Sequence, residues 1–177
     1  GHFLESFDVS YRKLHQEFDQ YQGDAWKMLA WHARRGAMPA SAYVELRIQE
    51  LAIHDYDIRS SFQLGAGLDP DSVPILLDMT PIWLRMCFRP SERLTRPVVY
   101  RFNVGCETYC MEVTGDEFNM ETGDASQVDL SLSASGEDYL LFTYGRLSAV
   151  DGIALGKLIP IGDQSHLDQF EAWFKGL

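Results

Sequence analysis

The 177-residue chain has no apolar run approaching the roughly 18 residues of a membrane span, and it does not open on a charged, apolar and cleavage-site pattern. A soluble cytoplasmic protein is the expectation. Positive charge is short: 15 Lys and Arg stand against 26 Asp and Glu, for a formal net charge of -11, and no basic run interrupts the surplus. That balance argues against nucleic acid and anionic membrane as partners. Cysteine is scarce too. Cys87, Cys106 and Cys110 are odd in number and show no Cys-x-x-Cys spacing, so reduced structural thiols are expected. There is no internal repeat and no low-complexity tract. What remains is an ordinary globular composition, 46% hydrophobic and 23% charged, enough for one domain or two small ones.

Gly1-His2 reads as the residue of a cleaved tag, and no initiator Met precedes it. From Phe3 to about Tyr21, apolar residues recur at three and four residue intervals, which predicts an amphipathic helix carrying His15 on its surface. Gly23 to Pro39 reads as a long connection punctuated by Arg34-Arg35-Gly36, with His32 near a site entrance or simply in a loop. A helix follows from Pro39 to about Phe62, and a second, buried one from Val73 to Phe88 with Pro81 inside it. Composition then changes between Pro90 and Arg96. Alternating segments at 97–104, 108–113, 118–120 and 128–132 predict strands, a short helix runs from Ser133 to Gly145, Ile159–Asp163 is extended, and an amphipathic helix closes the chain. The predicted fold class is α+β: a helical region over 3–90, then an antiparallel sheet with helices on one face over 95–177.

The helix from Pro39 carries the chemistry. At roughly 100° per residue, Tyr43, Arg47, Glu50, His54 and Asp57 fall within a sector of about 80°. Leu46 and Ile53 flank the sector on one side, Leu51 and Ile58 on the other. A polar stripe between two apolar rows predicts a stripe turned toward the core or a cavity. Glu50 and His54, at i and i+4, can share a metal ion or a proton. The alternative is a buried polar network in which Arg47 neutralises Glu50 and Asp57 orients His54. Two ligands fall short of the three or four that Zn²⁺ takes.

Arg47-Ile-Gln-Glu50-Leu-Ala-Ile-His54-Asp-Tyr-Asp57-Ile-Arg59 resembles the Arg-x-x-Glu-hydrophobic-x-hydrophobic-His-x-x-Asp signature of the mycothiol-dependent maleylpyruvate isomerase family, whose helical domain is a DinB-like metal-binding bundle. Trp31 to Pro39 suits the same family. Tyr144-Gly145-Arg146-Leu147, Gly156-Lys157-Leu158, Ile161-Gly162-Asp163 and Phe170 to Leu177 are similar to the sterol carrier protein-like domain that follows the bundle in many members.

The resemblance implies a divalent metal, zinc above all, held by Glu50 and His54 with a third histidine from an earlier helix, and Asp57 as a partner of the ligands. It implies a thiol cofactor, mycothiol or similar, activated by the metal, with Arg146 as the catalytic and cofactor-binding cation that anchors a carboxylate. The family's earlier helices lie ahead of the segment that starts here. Truncation, a degenerate member, or a replacement ligand such as His15 or His32 are the explanations left open. An incomplete bundle would favour self-association through exposed helix faces. For Arg146 the competing role is a helix-end cation.

The implied function is a metal-dependent, thiol-using transferase or isomerase acting on a small molecule. The rival is a non-enzymatic module with an apolar pocket, to which the alternation of Val99, Phe102, Tyr109, Met111 and Phe118 is suited, as it is to a filled core.

Overall fold

The computed structural model describes residues 2–33, 36–174 and 176. Gly1, the Arg34-Arg35 pair, Lys175 and Leu177, all used in the sequence reading, lie outside the described residues. The chain divides into two compact units, Gly1–Leu51 and Ala52–Leu177.

The first unit holds α1 (His2–Phe18), a 3-10 turn (Gly23–Lys27), β1 (Leu29–His32), β2 (Gly36–Pro39) and the first half of α2 (Ala40–Ser60). The segment read as a long connection is thus a turn and a hairpin. Trp26 lies 6.0 Å from the Phe18 ring and 5.1 Å from the Tyr21 ring, and β1 pairs antiparallel with β2 from Leu29 opposite Pro39 to His32 opposite Gly36. Four-residue strands are too short to show a period. The apolar residues of α1 remain outward: Phe3, Leu4, Phe7 and Tyr11 are all exposed.

The second unit is built on a five-stranded sheet in the order β5-β4-β3-β6-β7, from β3 (Val98–Val104), β4 (Glu107–Val113), β5 (Phe118–Thr122), β6 (Leu130–Ala134) and β7 (Leu158–Gly162). The sheet is mixed, not antiparallel as expected, because β6 runs parallel to β3 with Tyr100 opposite Leu130. The return crossing is pinned by Asp129, whose carboxylate accepts from the Val99 backbone N–H at 2.9 Å and from Arg96 at 2.9 Å. Strand β3 alternates strictly, with Val98, Tyr100, Phe102 and Val104 buried and the residues between them half-buried.

Helices α3 (Val73–Cys87), α4 (Gly136–Thr143), α5 (Ala149–Ala154) and α6 (Ser165–Trp173) supply the rest of the core. Phe170 of α6 sits over Tyr100, Phe102 and Phe142 with ring centroids 5.1 to 5.6 Å apart. Burial of each such ring contributes about 1.5–3 kcal/mol. On α3, Trp83 donates from Nε1 to the Thr143 carbonyl at 3.0 Å and stacks on Tyr144 at 4.3 Å. Helix α3, expected in the helical region before residue 90, lies in the second unit and packs against α4. Val99, grouped in the sequence reading with Phe102 and Tyr109, lies on the opposite sheet face, since β3 residues alternate and Phe102 pairs with Tyr109.

Candidate functional site

Helix α2 forms over the predicted span, but its polar stripe does not point into a core. Ala52 and Ile53 are buried with Tyr56 packed beside them, while Tyr43, Arg47, Glu50 and His54 are exposed. Leu51 and Ile58 are exposed as well, at 60% and 63%. One of the two apolar rows flanking the stripe is therefore an outward row, and the stripe follows it into solvent. An apolar residue on a helix does not itself say which way it faces.

Asp57, half-buried, turns toward the end of α4. Arg146, in the link between α4 and α5, donates from Nε to Asp57 Oδ1 at 3.0 Å and from Nη2 to Oδ2 at 2.8 Å. Its Nη1 donates to the Tyr144 carbonyl at 2.7 Å, at the end of α4. The guanidinium fork that the family resemblance assigns to a cofactor carboxylate pairs here with a carboxylate of this chain. The Arg146 hydrogen bonds, opposed by partial burial and aided by the cation's charge, hold Asp57 below the usual carboxylate range. The Asp57 pairing in turn raises Arg146. His54 Nδ1 lies 3.3 Å from Asp57 Oδ2, which is the orienting contact the sequence suggested.

Glu50 and His54 stand one turn apart on α2. His15 on α1 lies against the Tyr11 ring at 4.3 Å, and His32 on β1 is edge-on to Tyr43 at 5.7 Å. Among the described residues no group of three or more His, Cys, Asp and Glu converges as a metal site. Two donors on one exposed helix face do not make a closed zinc centre, so the described residues do not fit a tightly held zinc ion.

The second unit has a different concavity, a cleft of about 440 Å³ between α3 and the β4–β5 edge. Pro74, Leu77 and Pro81 line it from α3 together with Asp78; Glu107, Tyr109 and Thr122 line it from the sheet. Tyr139 of α4 is not among the residues that line this cleft. Its ring is 5.3 Å from Phe102, the direct cross-strand neighbour of Tyr109. Tyr139 is 1% exposed, and its hydroxyl has no hydrogen-bond partner among the described residues. Burial, with a smaller contribution from Tyr109, pushes this phenol upward. Tyr109 is raised by burial first, then by the charges of Glu107 and Asp78. A buried hydroxyl left unpaired costs about 1–3 kcal/mol.

A second apolar cleft of about 410 Å³ lies among Phe142, Leu147, Phe170 and Phe174. Its carboxylate, Glu171, is already committed, accepting from the Ala149 backbone N–H at 2.9 Å. In the α3 cleft, Asp78 and Glu107 have no side-chain hydrogen bond or ion pair among the described residues. Sequence reasoning noted Tyr109 only as one of an alternating set and did not single out Asp78, Glu107 or Tyr139. For Tyr139 the available signal was a tyrosine at the head of the apolar run Tyr139-Leu-Leu-Phe142, where a buried hydroxyl would need a partner.

No protein-family model and no curated protein matches the chain. Among solved structures, the chain is similar to a stereoselective inverting sec-alkylsulfatase from Pseudomonas sp., at 13% identity and TM-score 0.48 over 66% of this chain and 18% of that one. It is similar to sterol carrier protein 2-like 2 from Aedes aegypti at 14% identity and TM-score 0.41, over 58% and 95% of the two chains. It is also similar to a ubiquinone synthesis protein, UbiJ-SCP2, at 15% identity and TM-score 0.39, over 76% and 95%. The chain spans less than a fifth of the sulfatase it matches. No helix among the described residues is long and apolar enough to cross a membrane.

Proposed function

We propose that the second unit is a binding module for a small amphiphilic molecule, seated in the cleft between α3 and the β4–β5 edge. The observation that carries the reading is the cleft of about 440 Å³ itself, with Pro74, Leu77 and Pro81 along one wall and Asp78, Glu107, Tyr109 and Thr122 completing its lining. The apolar wall of Pro74, Leu77 and Pro81 accepts a hydrocarbon body, and the polar lining groups meet its head. This follows the non-enzymatic reading of the sequence, a module with an apolar pocket.

The test is titration of the purified protein with 1-decanol, followed calorimetrically. Saturable binding is expected. Thr122→Trp, at an exposed lining position where the fold tolerates a larger side chain, should weaken it by about tenfold. An absence of saturable decanol binding to the folded wild-type protein would reject the module.

The thiol-dependent transferase or isomerase reading stands as the alternative. It rests on Glu50 and His54 sharing one face of α2 and on the family resemblance of the segment around them. It needs a third metal donor, which the described residues do not supply.

A further inference from the structure

Along α1, Leu4, Phe7, Tyr11, Leu14 and Phe18 recur at alternating intervals of three and four residues, the spacing of a seam between two helices. At roughly 100° per residue they share a sector of about 80°. The last of them is used inside the chain, since the Phe18 ring lies 6.0 Å from Trp26. The other four are open, as is Phe3 beside them, with exposure running from 47% at Leu14 to 82% at Phe3. No residue of α1 is buried. A helix of this length is marginal in water by itself, because packing of the amphipathic face supplies most of a helix's stability in a protein.

Charge on α1 is arranged to suit a second copy. The flank next to the seam holds Glu5 and Asp8 in the N-terminal half of the helix, then Arg12 and His15 in the C-terminal half. In an antiparallel pair with its two-fold axis at the level of Val9, Leu4 meets Leu14 of the second copy, Phe7 meets its Tyr11, and equal flanks lie together. The acidic half of each flank then faces the basic half of the other, and the helix dipoles run in opposite directions. With Lys13 and Glu17 added, α1 carries three acidic and two basic residues, so it escapes the acidic surplus of the chain. Covering the open side chains removes about 500 Å² from each copy, or about 1,000 Å² for the pair, the size of a weak specific interface.

We infer that α1 is a self-docking surface, through which two copies of the chain associate by antiparallel packing of Leu4 on Leu14 and Phe7 on Tyr11. It belongs to the first unit and is independent of the binding module in the second.

The experiment is sedimentation equilibrium of the full chain across the micromolar range, where an interface of this size should give a reversible monomer–dimer equilibrium. Phe7→Gln with Leu14→Gln, which keeps good helix formers in the seam, should raise the dissociation constant by about tenfold or more. Asp8→Arg alone, or Arg12→Asp alone, sets like charges together at two symmetry-related places and should weaken the dimer by about fivefold. The two reversals combined restore opposite charges and should recover most of the wild-type affinity. This set leaves the apolar seam intact, so it reads the pairing even if the glutamine variant loses helix.

A wild-type monomer at every concentration would overturn the inference. Dimers indifferent to both the glutamine and the charge variants, or single reversals that the double reversal does not rescue, would overturn it as well. Capture of monomers by phosphatidylcholine vesicles in place of dimer formation would assign the face to a lipid surface and reject the second copy.

Discussion

Arg146 holds Asp57 by a two-pronged ion pair, Nε to Oδ1 at 3.0 Å and Nη2 to Oδ2 at 2.8 Å, tying α2 to the end of α4 across 89 residues of sequence. The Arg146 side chain is 20% exposed and that of Asp57 33%, so solvent screens the pair only in part. Arg146→Ala should cost about 1–2 kcal/mol of stability, a charge-assisted bond discounted for that exposure. Arg146→Lys should recover less than half of the loss, because an ammonium cannot form the fork. Urea unfolding of the three proteins checks both, and an unchanged midpoint in Arg146→Ala would remove the pair from the stability of the fold.

The same pair gives the protein a pH dependence of known sign. Asp57 titrates below its ordinary value of 3.8 in the folded state, chiefly through the Arg146 hydrogen bonds. A depressed carboxylate contributes stability that is fully present above its unfolded pKa and is lost as the pH falls through the folded one. The stability gap between wild type and Asp57→Asn should therefore be constant from neutral pH down to about pH 5 and shrink between there and about pH 2. Unfolding curves across that range provide the measurement; a gap that widened on acidification would contradict the assignment.

These two residues also show what was legible in the sequence. The helix holding Asp57 followed from its punctuation and length, and the His54–Asp57 contact followed from helical spacing alone. The direction of the stripe did not, because Leu51 and Ile58 have the composition of a core row and only tertiary packing decides which row is covered. The Asp57–Arg146 partnership joins positions too distant for any local pattern to pair.

Strand content of the second unit was readable because β3 alternates over seven residues, whereas the parallel β3–β6 pairing depends on a return crossing fixed by Asp129. Helix α5 was missed, although Ser148-Ala-Val-Asp151 carries a capping signature; the Ser148 hydroxyl accepts from the Asp151 N–H at 3.0 Å. Six residues of helix are too few to display a period.

Trp83 should be the most sensitive aromatic contact between α3 and α4. Its indole N–H reaches the Thr143 carbonyl at 3.0 Å, and its ring stacks on Tyr144 with 15° between the planes. Trp83→Phe keeps much of the apolar volume but leaves that buried carbonyl without this donor, for an expected loss of about 1–3 kcal/mol. Thermal unfolding gives the magnitude, and near-ultraviolet circular dichroism should lose the signal of the stacked indole. A variant as stable as wild type would show that water replaces the donor without cost.

Zinc content separates the two readings of α2. If Glu50 and His54 act as ligands, elemental analysis of protein purified with zinc should find bound metal, and Glu50→Ala or His54→Ala should release it. The described residues supply too few donors for tight retention, so the expected result is metal that exchanges away on dialysis against a chelator. Near one equivalent of zinc surviving chelation in wild type, and lost in both variants, would move the functional assignment to the metal-dependent enzyme.

Gly152 gives the sharpest packing test, since two effects of opposite sign meet there. Replacing a helical glycine with alanine ordinarily stabilises a helix by about 1 kcal/mol. In α5 a Cβ at Gly152 would sit 2.5 Å from both Cγ and Cδ1 of Leu158 and 3.2 Å from its Cβ. Leu158 is 1% exposed on β7, and a clash at Cγ is too near the backbone to be relieved by swinging the end of the side chain. Overpacking of this kind costs about 1–3 kcal/mol, so Gly152→Ala should be destabilising on balance. Leu158→Ala alone should cost about 2–5 kcal/mol through lost burial and a cavity. In that background the added methyl enters vacated space, and Gly152→Ala should become neutral or stabilising. The double-mutant cycle reads the coupling directly. Additive effects would mean that α5 shifts away from β7 as a body instead of pressing against a fixed Leu158.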